Sequence, residues 1–282
     1  MLRMLAFVCL SMLQVKELQT GIALMQHTKV KDSDTIEINL LGTPEITTAN
    51  GSISQGVYKS QKGWRILVYL LLHRSAAVSA KELVANIWSD ENDDTEPESI
   101  RGIVYRFKQK ISFLSDEDLI ISSANGYQIN PACSIVTDLE QMEKIWESSV
   151  PNMGSLHKAE ELKRALRLYR GDLFEDASHE DWLLGLSSRY HLLYLKIAAA
   201  LFETLQNMKD YTDIHDYALE VLKIDRGNVE TNYWLIYALK KLGAVEQSRR
   251  VFLAAREIMS SEEYMDLEAR LAEAVGESDI EM

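Results

Sequence analysis

At 282 residues the chain has room for about two domains of ordinary size, and 46% hydrophobic with 8% aromatic residues excludes a disordered polymer. A formal net charge of −13 excludes a protein that coats nucleic acid non-specifically and leaves only small, locally basic surface for contact with phosphate. The two cysteines, Cys9 and Cys133, lie far apart and neither sits in a Cys/His cluster, which excludes a disulfide framework and a zinc site and fits a reducing cytoplasm.

The first 34 residues contain an apolar run, Met4 to Leu13, whose ten residues are too few to span a bilayer. A single Arg precedes the run and no small-x-small cleavage site follows it, unlike a signal peptide. They read as an extension ahead of the first domain, with Met25 as an alternative start, and no membrane partner is expected.

Strand character begins at Thr35, where Ile36, Ile38 and Leu40 alternate with Glu37 and Asn39. Gly42 and Pro44 break the run, Glu45 to Thr48 resume it, and Asn50-Gly51 is a strong tight-turn signal. From Lys62 to His73 the period becomes helical, with Leu67, Leu70 and Leu71 inward. Ser79 and Glu82 form a capping box for a second helix, Ala80 to Trp88. An acidic loop, Ser89 to Glu96, leads to a third helix, Pro97 to Ile111. There Ile100, Ile103, Val104, Phe107 and Ile111 share one face, while Arg101, Tyr105, Lys108 and, at the edge, Gly102 share the other. Acids before this helix and Arg106, Lys108 and Lys110 toward its end suit the helix dipole, which would stabilise any surface helix. Leu119 to Ser122 and Tyr127 to Ile129 flank Ala124-Asn125-Gly126 and read as a hairpin. Helix, helix, helix, hairpin is the order of a winged helix-turn-helix, whose third helix touches DNA.

After a boundary expected at Pro131 to Val136 the pattern is helical: Asp138 to Glu147, Ser155 to Tyr169, Glu180 to Met208, Asp213 to Leu222, Val229 to Leu242, Ala244 to Met259 and Glu262 to Val275. Asp210 and Gly243 lie 33 residues apart, close to the tetratricopeptide period of about 34. Leu235, Leu239, Gly243, Phe252 and Ala255 fall at that repeat's packing positions. The fold class expected is mainly α: a winged helix (α+β) over 35–131 followed by an all-α, tetratricopeptide-like domain over 137–276.

Several stretches, in this order, resemble the bacterial antibiotic-regulatory-protein (SARP-like) transcriptional activators. In the first half they are LLGTPEI from Leu40, the Lys62 helix with VSAKELVANIW from Val78, SIRGIVYRFKQKI from Ser99 and ANGYQI from Ala124. In the second half the closest stretch runs from Ala165 to Leu201, with Tyr169-Arg170-Gly171-Asp172 and Asp181-Trp182. This half resembles the bacterial transcriptional activator domain that follows a response-regulator-type winged helix in that family, and the likeness extends over about Ile36 to Met259. It implies a third helix in the major groove and a wing on neighbouring phosphates. The implied DNA-binding residues are Arg101, Tyr105, Arg106 and Lys108 on the third helix and Asn125 and Tyr127 on the wing; Lys62, which opens the first helix, is expected to reach phosphate on its own account.

The residues also admit plainer roles. Tyr105 either covers the domain edge or meets a base or sugar, Arg106 either pairs with the acidic loop or faces phosphate, and Arg65 is expected in solvent. The chain departs from the family where its Asp-Pro junction becomes Asp225-Arg226. Between Ile36 and Asn130, 9 Lys and Arg stand against 12 Asp and Glu, an acidic balance for a DNA-binding domain. Gly102 costs the helix about 1 kcal/mol relative to Ala and either admits a close backbone or marks relaxed constraint.

No nucleotide-binding, metalloprotease or nucleophile-elbow motif occurs, and His157, His179, His191 and His215 read as surface or packing residues. No enzyme, cofactor or metal is expected. The expectation is a cytoplasmic, sequence-specific transcriptional activator whose partners are double-stranded promoter DNA, RNA polymerase and a second copy in a homodimer. The alternative is an adaptor whose helical half binds a protein and whose winged helix no longer binds DNA.

Overall fold

The computed structural model describes residues 35–88, 96–149, 155–175 and 180–275; the N-terminal extension, the acidic loop at 89–95, Pro151 and His179 lie outside them. Strand β1 (Thr35–Asn39) buries Ile36 and Ile38 and turns Glu37 outward. β2 (Glu45–Thr48) and β3 (Gly51–Ser54) form a hairpin with Ile46 opposite Ile53; its turn is Ala49-Asn50, one residue earlier than expected, because Gly51 already pairs with Thr48. Helix α1 (Gln61–Leu72) is almost wholly buried from Trp64 to Leu71, Arg65 excepted. α2 (Ala80–Ile87) starts where the Ser79 hydroxyl accepts the Glu82 N–H at 3.2 Å, one arm of the expected capping box. α3 (Pro97–Ile111) has Pro97 in its first turn and buries Ile100, Ile103, Val104, Phe107 and Ile111, the apolar set that its period marks.

The wing is β4 (Ile120–Ser123) and β5 (Gly126–Ile129), tied to the α1–α2 connection by two bonds between Val78 and Tyr127, N–H to O at 2.8 and 2.9 Å. Gly126, at φ +129, permits this approach: a Cβ there would stand 2.1 Å from the Val78 carbonyl oxygen. β6 (Ser134–Thr137) then returns to lie parallel to β1, with Ile36 opposite Ile135 and Ile38 opposite Thr137. The sheet order is β3-β2-β1-β6, so its fourth strand comes from within the stretch expected to separate the two halves.

The helical half comprises α4 (Asp138–Ser149), α5 (Ser155–Leu168), α6 (Asp181–Met208), α7 (Tyr211–Ile224), α8 (Val229–Lys241), α9 (Val245–Ala255) and α10 (Ser261–Val275). Polar caps punctuate it. Asp210 accepts the Asp213 N–H at 3.2 Å and Asn228 accepts the Thr231 N–H at 2.9 Å, which starts α7 and α8 in definite places. α8 is buried on nearly every side from Thr231 to Leu239 because α7, α9 and α10 all pack on it. One continuous core runs from β1 to α8, and a separate small cluster of Ile236, Ala255, Met259, Leu267 and Leu271 holds α9 and α10 at the end of the array.

The two halves are joined by main-chain bonds. Residues 40–42 receive an antiparallel partner from 172–175: Gly42 N–H donates to Asp172 O at 2.8 Å, Phe174 N–H to Leu40 O at 2.8 Å and Glu175 N–H to Gly42 O at 3.1 Å. At the head of α4, one carboxylate oxygen of buried Asp138 accepts both the Leu40 and Leu41 N–H groups at 2.8 Å, and the other accepts the Leu139 N–H at 3.0 Å. Arg65 does not face solvent as expected. It pairs with Glu180, whose second oxygen accepts the Trp182 indole N–H at 2.7 Å, because the start of α6 packs across α1.

Burial pushes the Asp138 carboxyl up to about 6, against the pull of its three N–H donors and the Arg170 charge. Its folded value lies above its ordinary 3.8, so proton uptake favours the fold, and the stability gained from the bound proton is lost as pH rises through 6. The unfolding free energy of the natural protein minus that of Asp138→Asn should increase by about 1 kcal/mol between pH 7 and pH 5 in urea titrations. A difference that stays flat over that range would contradict the buried, strained carboxylate.

Candidate nucleic-acid interface

α3 is anchored from behind. The Phe107 ring meets Trp64 edge-on at 5.4 Å and Tyr58 at 5.9 Å, and it lies directly over Gly63 in the first turn of α1. A Cβ on Gly63 would stand 2.4 Å from the Phe107 ring, so only glycine lets the two helices approach this closely. With five apolar side chains inward, the opposite face of α3 must carry Arg101, Tyr105 and Arg106 to solvent, and Tyr105 is 63% exposed. Gln109 is exposed one turn beyond Tyr105 on the same face. The helical spacing from Tyr105 was enough to find it, and an amide there has the donor and acceptor that a base edge requires.

Lys108 is placed differently from expectation. It stands at the border between the buried and exposed faces, and its ammonium pairs with Asp118 at 2.7 Å, with only 23% of the side chain exposed. The short connection from α3 to β4 brings Asp118 back beside the helix. There Lys108 also lines a cleft of about 230 Å³ with Asp116, Glu117 and Asp118, a setting that repels phosphate. Arg106 folds its guanidinium back over Gly102, 3.4 Å from where a Cβ would be, and among the described residues the three heavy atoms nearest that position outside the helix's own neighbouring backbone all belong to this guanidinium. The pairing of Arg106 with the acidic loop falls on residues outside those described.

Asn125 is exposed at the tip of the wing. Tyr127 is half-buried, and its backbone N–H and carbonyl are both taken by Val78, so only the side chain can reach a ligand. Lys62 is exposed in the first turn of α1 with its ammonium 5.9 Å from the centre of the Trp88 ring. The structure thus gathers Arg101, Tyr105, Arg106 and Gln109 on one helix face, carries Asn125 on the separate wing, and withdraws Lys108 into an ion pair. Glu98 is exposed near the start of the same helix and tempers the positive field of the arginines. Exposed guanidinium, phenol and amide groups on a rigid helix can bond phosphate and base edges; they offer no nucleophile with an adjacent base. Among the described residues no group of three His, Cys, Asp or Glu could hold a metal ion, and no helix is long and apolar enough to cross a membrane.

Two family models match the chain, one in each half. Residues 54–129 match the family model described as transcriptional regulatory protein, C terminal, and residues 138–276 match the bacterial transcriptional activator domain. The solved structure of Mycobacterium tuberculosis EmbR in complex with a low-affinity phosphopeptide is similar, with a TM-score of 0.59 and 14% sequence identity over 85% of this chain. The chain spans 65% of the length of that one, and at this identity the likeness is one of fold. No curated protein sequence is significantly similar to the chain.

The two glycines of the helix pair should respond with opposite signs. Gly63→Ala overpacks against a locked aromatic ring and should destabilise by about 1 to 3 kcal/mol. Gly102→Ala meets only a movable guanidinium and should stabilise by about 0.5 to 1 kcal/mol through helix propensity. Thermal melts of the two variants check this; a stabilised Gly63→Ala or a destabilised Gly102→Ala would show that α3 is rotated from the orientation described.

Proposed function

We propose that this chain, a transcriptional regulator with the SARP-like order of winged helix and bacterial transcriptional activator domain, activates transcription by binding promoter DNA with α3 in the major groove and the β4–β5 wing against the adjacent backbone. The observation that carries the reading is the outward face of α3, where Arg101, Tyr105 and Arg106 stand exposed on a helix whose other face is locked by Phe107. Arginine's planar fork suits both the guanine edge and phosphate, and residues near the start of a recognition helix reach the bases first. Asn125 and the Tyr127 side chain contact the sugar-phosphate backbone from the wing, and Lys62 contributes a further phosphate contact.

A single copy makes few such contacts, and the chain's net charge of −13 opposes them at long range. Useful affinity therefore comes from two copies on one DNA, paired through the helical half, which also presents a surface to RNA polymerase. Lys108 has no direct part, since reaching DNA would break its bond to Asp118.

The test is a binding titration of the full chain against duplexes enriched from a random pool, repeated over a range of salt. Arg101→Ala with Arg106→Ala should weaken binding at least about tenfold, reduce the salt slope by about one for each phosphate contact removed, and leave the melting temperature nearly unchanged. Unaltered binding in that variant, or binding that ignores salt, would favour the adaptor reading, to which the exposed Glu98 and the acidic balance of this half lend their weight.

A further inference from the structure

Among the described residues α9 and α10 carry complementary exposed faces. α9 turns its inner side, Ser248 and Ala255, onto α8 and presents Val245, Arg249, Arg250, Leu253 and Arg256 outward. Leu253 is 52% exposed in the middle of these arginines, and Glu246 and Glu257 border them. The side chains of Arg249 and Arg250 have no ion-pair partner among the described residues. α10 buries Leu267 and Leu271 and presents Glu262, Met265, Asp266, Ala269 and Glu273 outward, with Met265 67% exposed. Of these acids Asp266 bonds Arg270 within its own helix at 3.0 Å, an exposed pair that exchanges at little cost.

Each face is an apolar knob bordered by charge, basic on α9 and acidic on α10, at the spacing of successive helical turns. The two helices adjoin, linked by the stacked rings of Phe252 and Tyr264 at 5.0 Å. Large apolar side chains, Leu253 and Met265, are exposed inside this patterned charge. We infer that these two outer faces form a self-pairing surface, on which α9 of one copy docks against α10 of a second copy and the reverse contact forms by two-fold symmetry. Such symmetry requires one patch to complement itself, which a basic helix beside an acidic one does. The inference names the surface for the pairing proposed above and rests on that reading for its use on DNA, but not for its chemistry.

The test uses the full chain without DNA, with mass measured by sedimentation equilibrium. The natural protein should associate into dimers below about 100 µM and dissociate progressively as salt rises from about 0.1 to 0.5 M. Arg249→Glu with Arg250→Glu makes both faces acidic, and Glu262→Lys with Asp266→Lys makes both basic. Each variant alone should dimerise at least about tenfold more weakly, and an equimolar mixture should recover the natural affinity to within about threefold. Recovery on mixing also shows that neither variant failed by unfolding. A monomeric natural protein at that concentration, salt-insensitive association, or no recovery from variants with native circular dichroism would overturn the inference. So would a loss of DNA affinity in Arg249→Glu with Arg250→Glu at unchanged mass, which would make α9 a phosphate contact. A chain that pairs as stated but shows no salt-dependent DNA binding overturns the proposed function and leaves this surface standing.

Discussion

The backbone of residues 40–42 cannot satisfy itself within the winged helix. β1 ends at Asn39, yet the chain stays buried through Leu40 and Leu41, so their N–H and C=O groups need partners that water cannot supply. The helical half supplies them: the Asp138 carboxylate takes the Leu40 and Leu41 N–H groups, and the stretch from Asp172 to Glu175 takes the Gly42 N–H and bonds the Leu40 and Gly42 carbonyls. β6 adds its ladder along β1 immediately before Asp138. Cutting the chain after Asn130 would remove β6 and Asp138 together and orphan the Leu40 and Leu41 amides. The two halves are distinct in sequence pattern and joined in hydrogen bonding, and substitutions in the full chain probe them more cleanly than truncation.

From this joint a contiguous set of contacts leads to α3. Glu180 at the head of α6 holds Arg65 of α1, and Trp182 packs its ring 5.6 Å from Tyr69 on the same helix. α1 in turn bears on α3 through Gly63, Trp64 and Phe107. The outward face of α3 is thereby held in a fixed pose relative to the helical array. If two copies pair at the far end of that array, the separation and orientation of their two α3 helices follow from the fold, which is the geometric condition for reading a two-part DNA site.

How far the sequence showed this depended on the range of each interaction. The face of α3 follows from spacing alone, since Ile100, Ile103, Val104, Phe107 and Ile111 mark a helix period without help from any other element. The Ser79 cap and, to within one residue, the turn between β2 and β3 are equally local. β6 is not legible locally because four residues, Ser134 to Thr137, acquire strand character only by parallel pairing with β1, about a hundred positions earlier. Arg65 reads as solvent-facing because its partner, Glu180, is 115 residues away. Lys108 reads as facing outward because a helical projection places it near Arg101 and Tyr105, whereas the return of the chain at Asp118 decides which way the ammonium turns. Residue types on one helix were legible; the ion pairs that remove a cation from a surface were not.

Hydrogen–deuterium exchange of the full chain, free and saturated with an enriched duplex, tests the central claim most directly. The amides in 97–111 and 120–129 should exchange more slowly with DNA bound, while those of Leu40, Leu41 and Gly42 in the joint remain as protected as before. Added protection confined to the helices beyond residue 138, with none along α3 or the wing, would contradict the account.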